Sequence, residues 1–160
     1  MATVDDLSAI VDIYNHHIVS SVATFDVEPQ PVDARRGWFD QFSPTGPYRI
    51  VVADDGTICG YACSIPYRTH PAFAATVEFS IYVAPGQGGR GIGTALYGRL
   101  LGELEGERIH RILAGIALPN DISVALHRHY GFEEIGTFDE YAEKWGMPIS
   151  SVWMQLRRSE

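Results

Sequence analysis

The chain has 160 residues, 46% of them hydrophobic and 20% charged, with a formal net charge of −8. Those proportions describe a single globular domain over residues 1–160 and argue against a disordered chain or a coiled coil. The acidic balance offers no basic stripe for a nucleic-acid partner, and no run approaches the roughly 20 apolar residues of a membrane span. The start, MATVDDLSAI, lacks the basic-then-apolar pattern of a signal peptide. With only two cysteines, Cys59 and Cys63, the expectation is a reduced, cytoplasmic protein in which both are small core residues. They lie four apart in one strand-like run, on one face but too far apart to bridge. The six histidines show no ligand spacing with them, so no metal site is expected.

In chain order, VDDLSAIVDIYNHHIVS carries an apolar stripe at Leu7, Ile10, Val11 or Tyr14, and Ile18, which predicts a helix with Asp5 or Asp6 in its first turn. PQPVDARRGWFDQF predicts a shorter helix with Val32, Trp38, Phe39 and Phe42, stopped by SPTGP. YRIVVADDGTICGYACSIPY is two apolar runs around Asp55-Gly56, a hairpin signal. ATVEFSIYVAP reads as a strand ended by Pro85, and residues 91–105 as a helix with Ile92, Ala95, Leu96, Leu100 and Leu104 on one side. HRILAGIAL is a buried-looking strand, and NDISVALHRHY a helix capped by Gly131. The tail predicts strands near 132–136 and 151–156. The order α-α-β-β-β-α-β-α-β-β indicates a mixed α/β fold around a central sheet.

Five glycines fall between Gly86 and Gly93, directly between a strand and a helix start. First-turn amides have no carbonyl partners, the helix dipole adds roughly half a positive charge, and glycine lets backbone approach a bulky phosphate, so this turn suits an anion. Gly86, Gly88 and Gly91 spell G-x-G-x-x-G, with Glu105 and Glu107 downstream. A dinucleotide fold places that turn in its first βαβ unit, whereas helices and a hairpin precede it here. A P-loop requires Lys-Ser/Thr after Gly91, and Ile92-Gly93 follow instead. A glycine connection holding no ligand is the remaining reading of the turn by itself. Further on, Asn120, Ser123 and His127 are spaced i, i+3, i+7 and share a helix face. A helix cap with a structural histidine accounts for the same three residues.

Taken together, the strand, the turn GRGIGTALY, a second strand and NDISVALHRHYGF resemble the GNAT acetyltransferase superfamily. IYNHHIVSSVATFDVEP (13–29), TVEFSIYVAP (76–85), LPNDISVALHRHYGF (118–132) and VWMQL (152–156) are similar to its phosphinothricin/methionine sulfoximine N-acetyltransferase branch. The resemblance implies a splayed mixed sheet flanked by helices, with acetyl-CoA entering where two strands part. It implies that the backbone of Ile81, Tyr82 and Val83 pairs with the pantetheine arm. The amides of Gly88, Gly89, Arg90, Gly91, Ile92 and Gly93, with Thr94, would take the pyrophosphate, and Asn120 and Ser123 the lower part of CoA. Glu78 matches the family's base position, the Val83 amide would hold the oxyanion, and His127 would act as acid or second proton relay. No acyl-enzyme is implied. On the acceptor side Arg68 matches a carboxylate-binding position, beside Phe25, Tyr67, Phe79, Ser80 and Glu78. A homodimer is implied as well.

Three positions depart from the branch. MATVDD lacks most of the usual first strand, Gly88 replaces a common Gln or Arg at the head of the CoA turn, and Met147-Pro148-Ile149-Ser150 replaces basic, aromatic and acidic residues. The implied activity is N-acetylation of a small amino-acid-like amine. A different small amine, or CoA binding without turnover, are the alternatives.

Overall fold

The hairpin signal at Asp55-Gly56 folds as read: β1 (Ile50–Asp54) and β2 (Ile58–Pro66) pair antiparallel, with the turn closed by the Asp54 carboxylate on the Gly56 amide. The computed structural model describes residues 1–158. Around the hairpin lie α1 (Leu7–Ser20), α2 (Val32–Phe39), β3 (Thr76–Val83), α3 (Ile92–Glu103), β4 (Arg111–Ala117), α4 (Asp121–His129), β5 (Glu133–Lys144) and β6 (Met147–Arg157). The six strands form one mixed sheet in the order β1-β2-β3-β4-β6-β5.

Strand alternation gives the sheet two buried faces. On one, Val77, Phe79, Ile112 and Ala114 pack under Leu96, Tyr97 and Leu100 of α3 and Val124 of α4. On the other, Tyr61 and Cys63 pack against Ile10 and Ile13 of α1. Cys59 and Cys63 are both free thiols and buried. Burial pushes the Cys63 thiol up to about 12. Among the described residues no helix is long and apolar enough to cross a membrane, and no group of three side chains is arranged to hold a metal ion.

The central pair defines the shape. β3 and β4 run parallel and pair at three positions only, from Thr76↔Arg111 to Glu78↔Leu113. Beyond Glu78 the strands part, while β3 continues against β2 as far as Val83 and β4 against β6 as far as Ala117. The sheet is splayed along this seam.

Two elements differ from the sequence reading. β5 runs to Lys144 and β6 starts at Met147, so the C-terminal hairpin is longer than 132–136 and 151–156 suggest. TFDEYAE carries no apolar alternation because β5 is an edge strand, exposed along most of its length and interrupted by two bulges; only its pairing with β6 makes it a strand. Trp145 (φ 55°) and Gly146 (φ 75°) form its tight turn. Just before the turn, Lys144 is buried and donates to the carbonyls of Ser21 (2.8 Å) and Thr24 (2.7 Å), fastening the loop after α1. At the other sheet edge, the N-terminal segment adds no strand: it meets β1 through the Ala2 amide on the Ile50 carbonyl.

Arg49 enters β1 buried and is neutralised by Glu107, whose carboxylate lies 2.6 Å from its Nη2 and also accepts from the Gly46 amide at 2.8 Å. Removing one partner of a buried pair leaves an uncompensated charge. Glu107→Ala should therefore lower unfolding free energy by about 3 kcal/mol, read by denaturant titration. A loss below about 1 kcal/mol, the range of exposed pairs, would show that Arg49 is solvated without it.

Candidate active site

The seam between β3 and β4 has a defined polar lining. The Ala84 amide bonds to the Cys59 carbonyl (2.9 Å). Alternation then turns the amide and carbonyl of Tyr82 toward β2 and those of Ile81 and Val83 into the gap. The expected backbone pairing at Tyr82 is therefore already taken by the β2 ladder, and its ring packs against Tyr14, His17 and Tyr61. Of the two remaining residues, Val83 has its carbonyl occupied: His17 Nε2–H of α1 donates to it at 2.9 Å. The gap is left with both polar groups of Ile81 and the amide of Val83. His17 did not stand out in the sequence, since a histidine inside an amphipathic helix has no local signature.

From the seam a groove of about 540 Å³ runs outward, lined by Gly88, Gly89, Gly91, Thr94, Asn120 and Ser123, with His17 and Gln87 among its other walls. Gly86, Gly89 and Gly91 hold positive φ (72°, 75° and 76°), and a Cβ on Gly88, Gly89 or Gly91 would meet nothing within 4 Å. These glycines serve backbone conformation and leave the groove side clear. The first α3 bond runs from the Ala95 amide to the Gly91 carbonyl, so the amides of Ile92, Gly93 and Thr94 have no helical partner and face the turn. This cradle fits a diphosphate. Gly93 has a second role: a Cβ there would lie 3.1 Å from Leu126 Cδ2, so it allows close α3–α4 packing. The Arg90 guanidinium turns away, bonding to Gln87 and pairing with Asp55 at 2.9 Å, so only its backbone is available to the turn. Gln87 lines the groove beside Gly88, the position at which the family resemblance implies a Gln or Arg.

Asn120 caps α4, its Oδ1 accepting from the Ser123 amide (3.2 Å). Ser123, one turn before His127, brings that histidine to an inner cavity of about 60 Å³ at the root of the seam, with Ser80, Ile81, Tyr97 and Gly115. His127 is buried, and burial pushes its imidazole below the usual 6.5. Its Nδ1–H donates to the Ser123 carbonyl (2.7 Å), and the Tyr97 hydroxyl donates to its Nε2 (2.8 Å). Tyr97 escaped the sequence reading because an aromatic on the inner stripe of α3 looks like core.

Glu78 is the last residue of the parallel ladder, half-buried, on the opposite face of the sheet from His127. Burial raises its carboxyl above the ordinary 4.5. It lines neither cavity, standing instead on the face shared by Ser80 and Tyr82. Phe79 alternates to the other face and packs on Tyr97 (5.5 Å between rings), so it is a core residue under the inner cavity and not an acceptor wall.

Beyond Glu78, on the same face, aromatic rings follow one another: Tyr67 to Trp153 (6.1 Å), Trp153 to Phe138 (6.4 Å), Phe138 to Tyr141 (5.3 Å) and Tyr141 to Phe25 (5.9 Å). Gly115 makes room for this wall, since a Cβ there would come within 3.0 Å of the Trp153 ring. Arg68 rests over Tyr67 (5.2 Å) and Phe73 (5.4 Å), exposed and with no ion pair among the described residues. Trp153, Phe138 and Tyr141 reach the wall only through the long β5–β6 hairpin, which the sequence understated.

A splayed mixed sheet whose central strand runs through an amide-rich turn into a helix is the arrangement of an acyl-transferring enzyme family. The profile of the Acetyltransferase (GNAT) family matches residues 10–132, and the chain belongs to that family. It is 45% identical over 154 residues to the phosphinothricin N-acetyltransferase of Streptomyces coelicolor, covering 94% of this chain and 90% of that protein. It is 35% identical to the L-methionine sulfoximine/L-methionine sulfone acetyltransferase of Pseudomonas paraeruginosa, over 97% of this chain and 91% of the relative. A crystal structure of a phosphinothricin acetyltransferase from Sinorhizobium meliloti in complex with acetyl-CoA superposes with a TM-score of 0.91 at 32% identity, over 98% of this chain and 85% of that one.

A left-handed φ costs a non-glycine residue roughly 1–2 kcal/mol. Gly91→Ala should therefore weaken acetyl-CoA binding by about tenfold with the fold retained, as read by calorimetric titration. An unchanged dissociation constant would show that the turn does not hold the ligand.

Proposed function

We propose that this acetyltransferase moves the acetyl group of acetyl-CoA directly to the α-amine of a small amino-acid-like acceptor of the phosphinothricin, methionine sulfoximine or methionine sulfone type. The observation carrying the reading is that β3 and β4 part immediately after Glu78. A carboxylate whose affinity for protons is raised by burial thus stands at the closed end of the only gap in the central sheet among the described residues. When bound, acetyl-CoA supplies an activated acyl carbon. The chain's groups do the rest. Amides of Ile92, Gly93 and Thr94 hold the diphosphate, those of Ile81 and Val83 fix the arm and the carbonyl oxygen, and Glu78 takes the proton that keeps an amine of pKa about 10 non-nucleophilic. The Cys63 thiol, held protonated by burial, is no nucleophile. Attack is therefore direct.

Arg68 and the ring wall from Phe25 to Tyr67 receive the acceptor's carboxylate and side chain. The buried indole N–H of Trp153 has no partner among the described residues, and a phosphinate or sulfone oxygen is the kind of group it lacks. The hairpin tip, with Met147 exposed in the segment where the family resemblance implies basic, aromatic and acidic residues, favours a second reading in which another small amine is the physiological acceptor. We assign the protein to the cytoplasm and to a homodimer, the latter supported by exposed Ile135, Phe138, Trp145 and Met147 along β5 and its turn.

Thiol release from acetyl-CoA, measured with phosphinothricin, methionine sulfoximine, methionine sulfone and common amino acids, should exceed the acceptor-free rate for at least one. Tight acetyl-CoA binding with no amine turned over would leave a CoA-binding protein without this activity. Glu78→Gln should cut kcat by about a hundredfold with acetyl-CoA binding intact; wild-type turnover would remove Glu78 as base. Activity should fall as pH drops through the Glu78 pKa, an acid limb centred above the ordinary glutamate value of 4.5.

A further inference from the structure

His127 lines the inner cavity at the seam, yet its one lone pair is already engaged. A carbonyl oxygen only accepts, so the 2.7 Å contact with the Ser123 carbonyl fixes the imidazole proton on Nδ1. Nε2 is then the acceptor, and the Tyr97 hydroxyl fills it at 2.8 Å, with the rings edge-to-face at 5.1 Å. Tyr97 is fully buried and His127 is 2% exposed, and both line the inner cavity with Ser80, Ile81 and Gly115. Nε2 is thus already engaged, whereas the phenolic oxygen accepts no hydrogen bond among the described residues and keeps its lone pairs for a group bound in that cavity.

The surroundings favour a neutral pair at rest. Tyr97 comes from α3, Ser123 from α4, and Phe132, just after α4, packs on the imidazole at 5.0 Å. No carboxylate or cation pairs with His127 among the described residues. Burial holds the imidazole below its ordinary pKa and lifts the phenol well above 10. A neutral histidine is a competent base, whereas forming a bare tyrosinate here is unfavourable. Tyr97 is therefore suited to pass a proton on while keeping one.

Resting on the acetyl-transfer reading above, we propose that the Tyr97 hydroxyl is a catalytic relay atom that carries protons between the reacting groups and His127. Glu78 first takes one proton from the acceptor ammonium, and the freed amine forms the C–N bond. The nitrogen, now cationic, gives a second proton to the Tyr97 oxygen as the Tyr97 hydroxyl proton moves to His127 Nε2. The C–S bond then breaks and its electron pair stays on sulfur. His127 returns its Nε2 proton to the Tyr97 oxygen while Tyr97 donates to the thiolate. The products are the amide and free CoA thiol, His127 is neutral again, and Glu78 releases its proton to water. At no point does a tyrosinate form.

Tyr97→Phe keeps the ring packing and removes only the relay atom. It should lower kcat by about a hundredfold, leave both KM values within about twofold, and abolish any limb of the kcat–pH profile that His127→Gln also abolishes. The Tyr97→Phe/His127→Gln double variant should be no slower than the slower single variant, because the two act as a unit. Thermal midpoint and acetyl-CoA binding report folding in each. Should Tyr97→Phe not fold, 3-fluorotyrosine placed at position 97 keeps the hydroxyl but alters its acidity, and kcat must change. Wild-type kcat in Tyr97→Phe, unchanged kcat with the fluorinated residue, or fully additive losses would each overturn the relay. Failure of the wild-type enzyme to acetylate any amine would instead overturn the acetyl-transfer reading.

Discussion

Backbone groups that lose their ladder partners must find others, and this requirement organises the molecule around the seam between β3 and β4. Three parallel pairs end at Glu78, and from there the amides and carbonyls of Ile81 and Val83 face a gap instead of a strand. One of them, the Val83 carbonyl, is satisfied inside the protein by His17. The rest suit an extended ligand carrying its own amides. The glycine turn lies along the same line, because β3 leads directly into that turn and α3.

Burial is used in opposite senses on the two faces of the sheet. On one it raises the Glu78 carboxyl, making it a better base. On the other it lowers the His127 imidazole, leaving it uncharged and ready to accept a proton. Desolvation disfavours whichever form is charged, so one cause gives an acid and a base shifts of different sign. The aromatic row beside the gap depends on close packing at a glycine. Gly115 lacks the Cβ that would collide with Trp153, so an indole lies flat on β4 next to the gap.

The loop after α1 joins these parts. Lys144, at the end of β5, holds the Ser21 and Thr24 carbonyls, so the segment bearing Phe25 is fastened to the hairpin bearing Phe138 and Tyr141. Rings from opposite ends of the chain are brought together by one buried ammonium. The altered residues at 147–150 lie directly beyond it, where a change in the hairpin alters the wall without touching the cofactor groove.

Local chemistry was readable from the chain. Glycines at Gly86, Gly89 and Gly91 mark a left-handed turn because few other residues adopt it, Asn120 marks a cap, and Asp55-Gly56 marks a hairpin. The motif-bearing stretches place Glu78, His127 and the turn in one family. Contacts between segments distant in sequence were not readable. β5 is a strand only because β6 pairs with it, since its own residues are exposed and lack alternation. Tyr97 looks like any core aromatic until α4 brings His127 to its hydroxyl, and Tyr82 looks like a backbone partner until the β2 register turns its amide away. Backbone conformation is set by each residue and its neighbours, so the sequence by itself determined the turn and the cofactor class. Which atoms face the gap depends on strand register and helix packing across the whole chain, so only the tertiary structure decided which polar groups line the gap and which rings stand beside it.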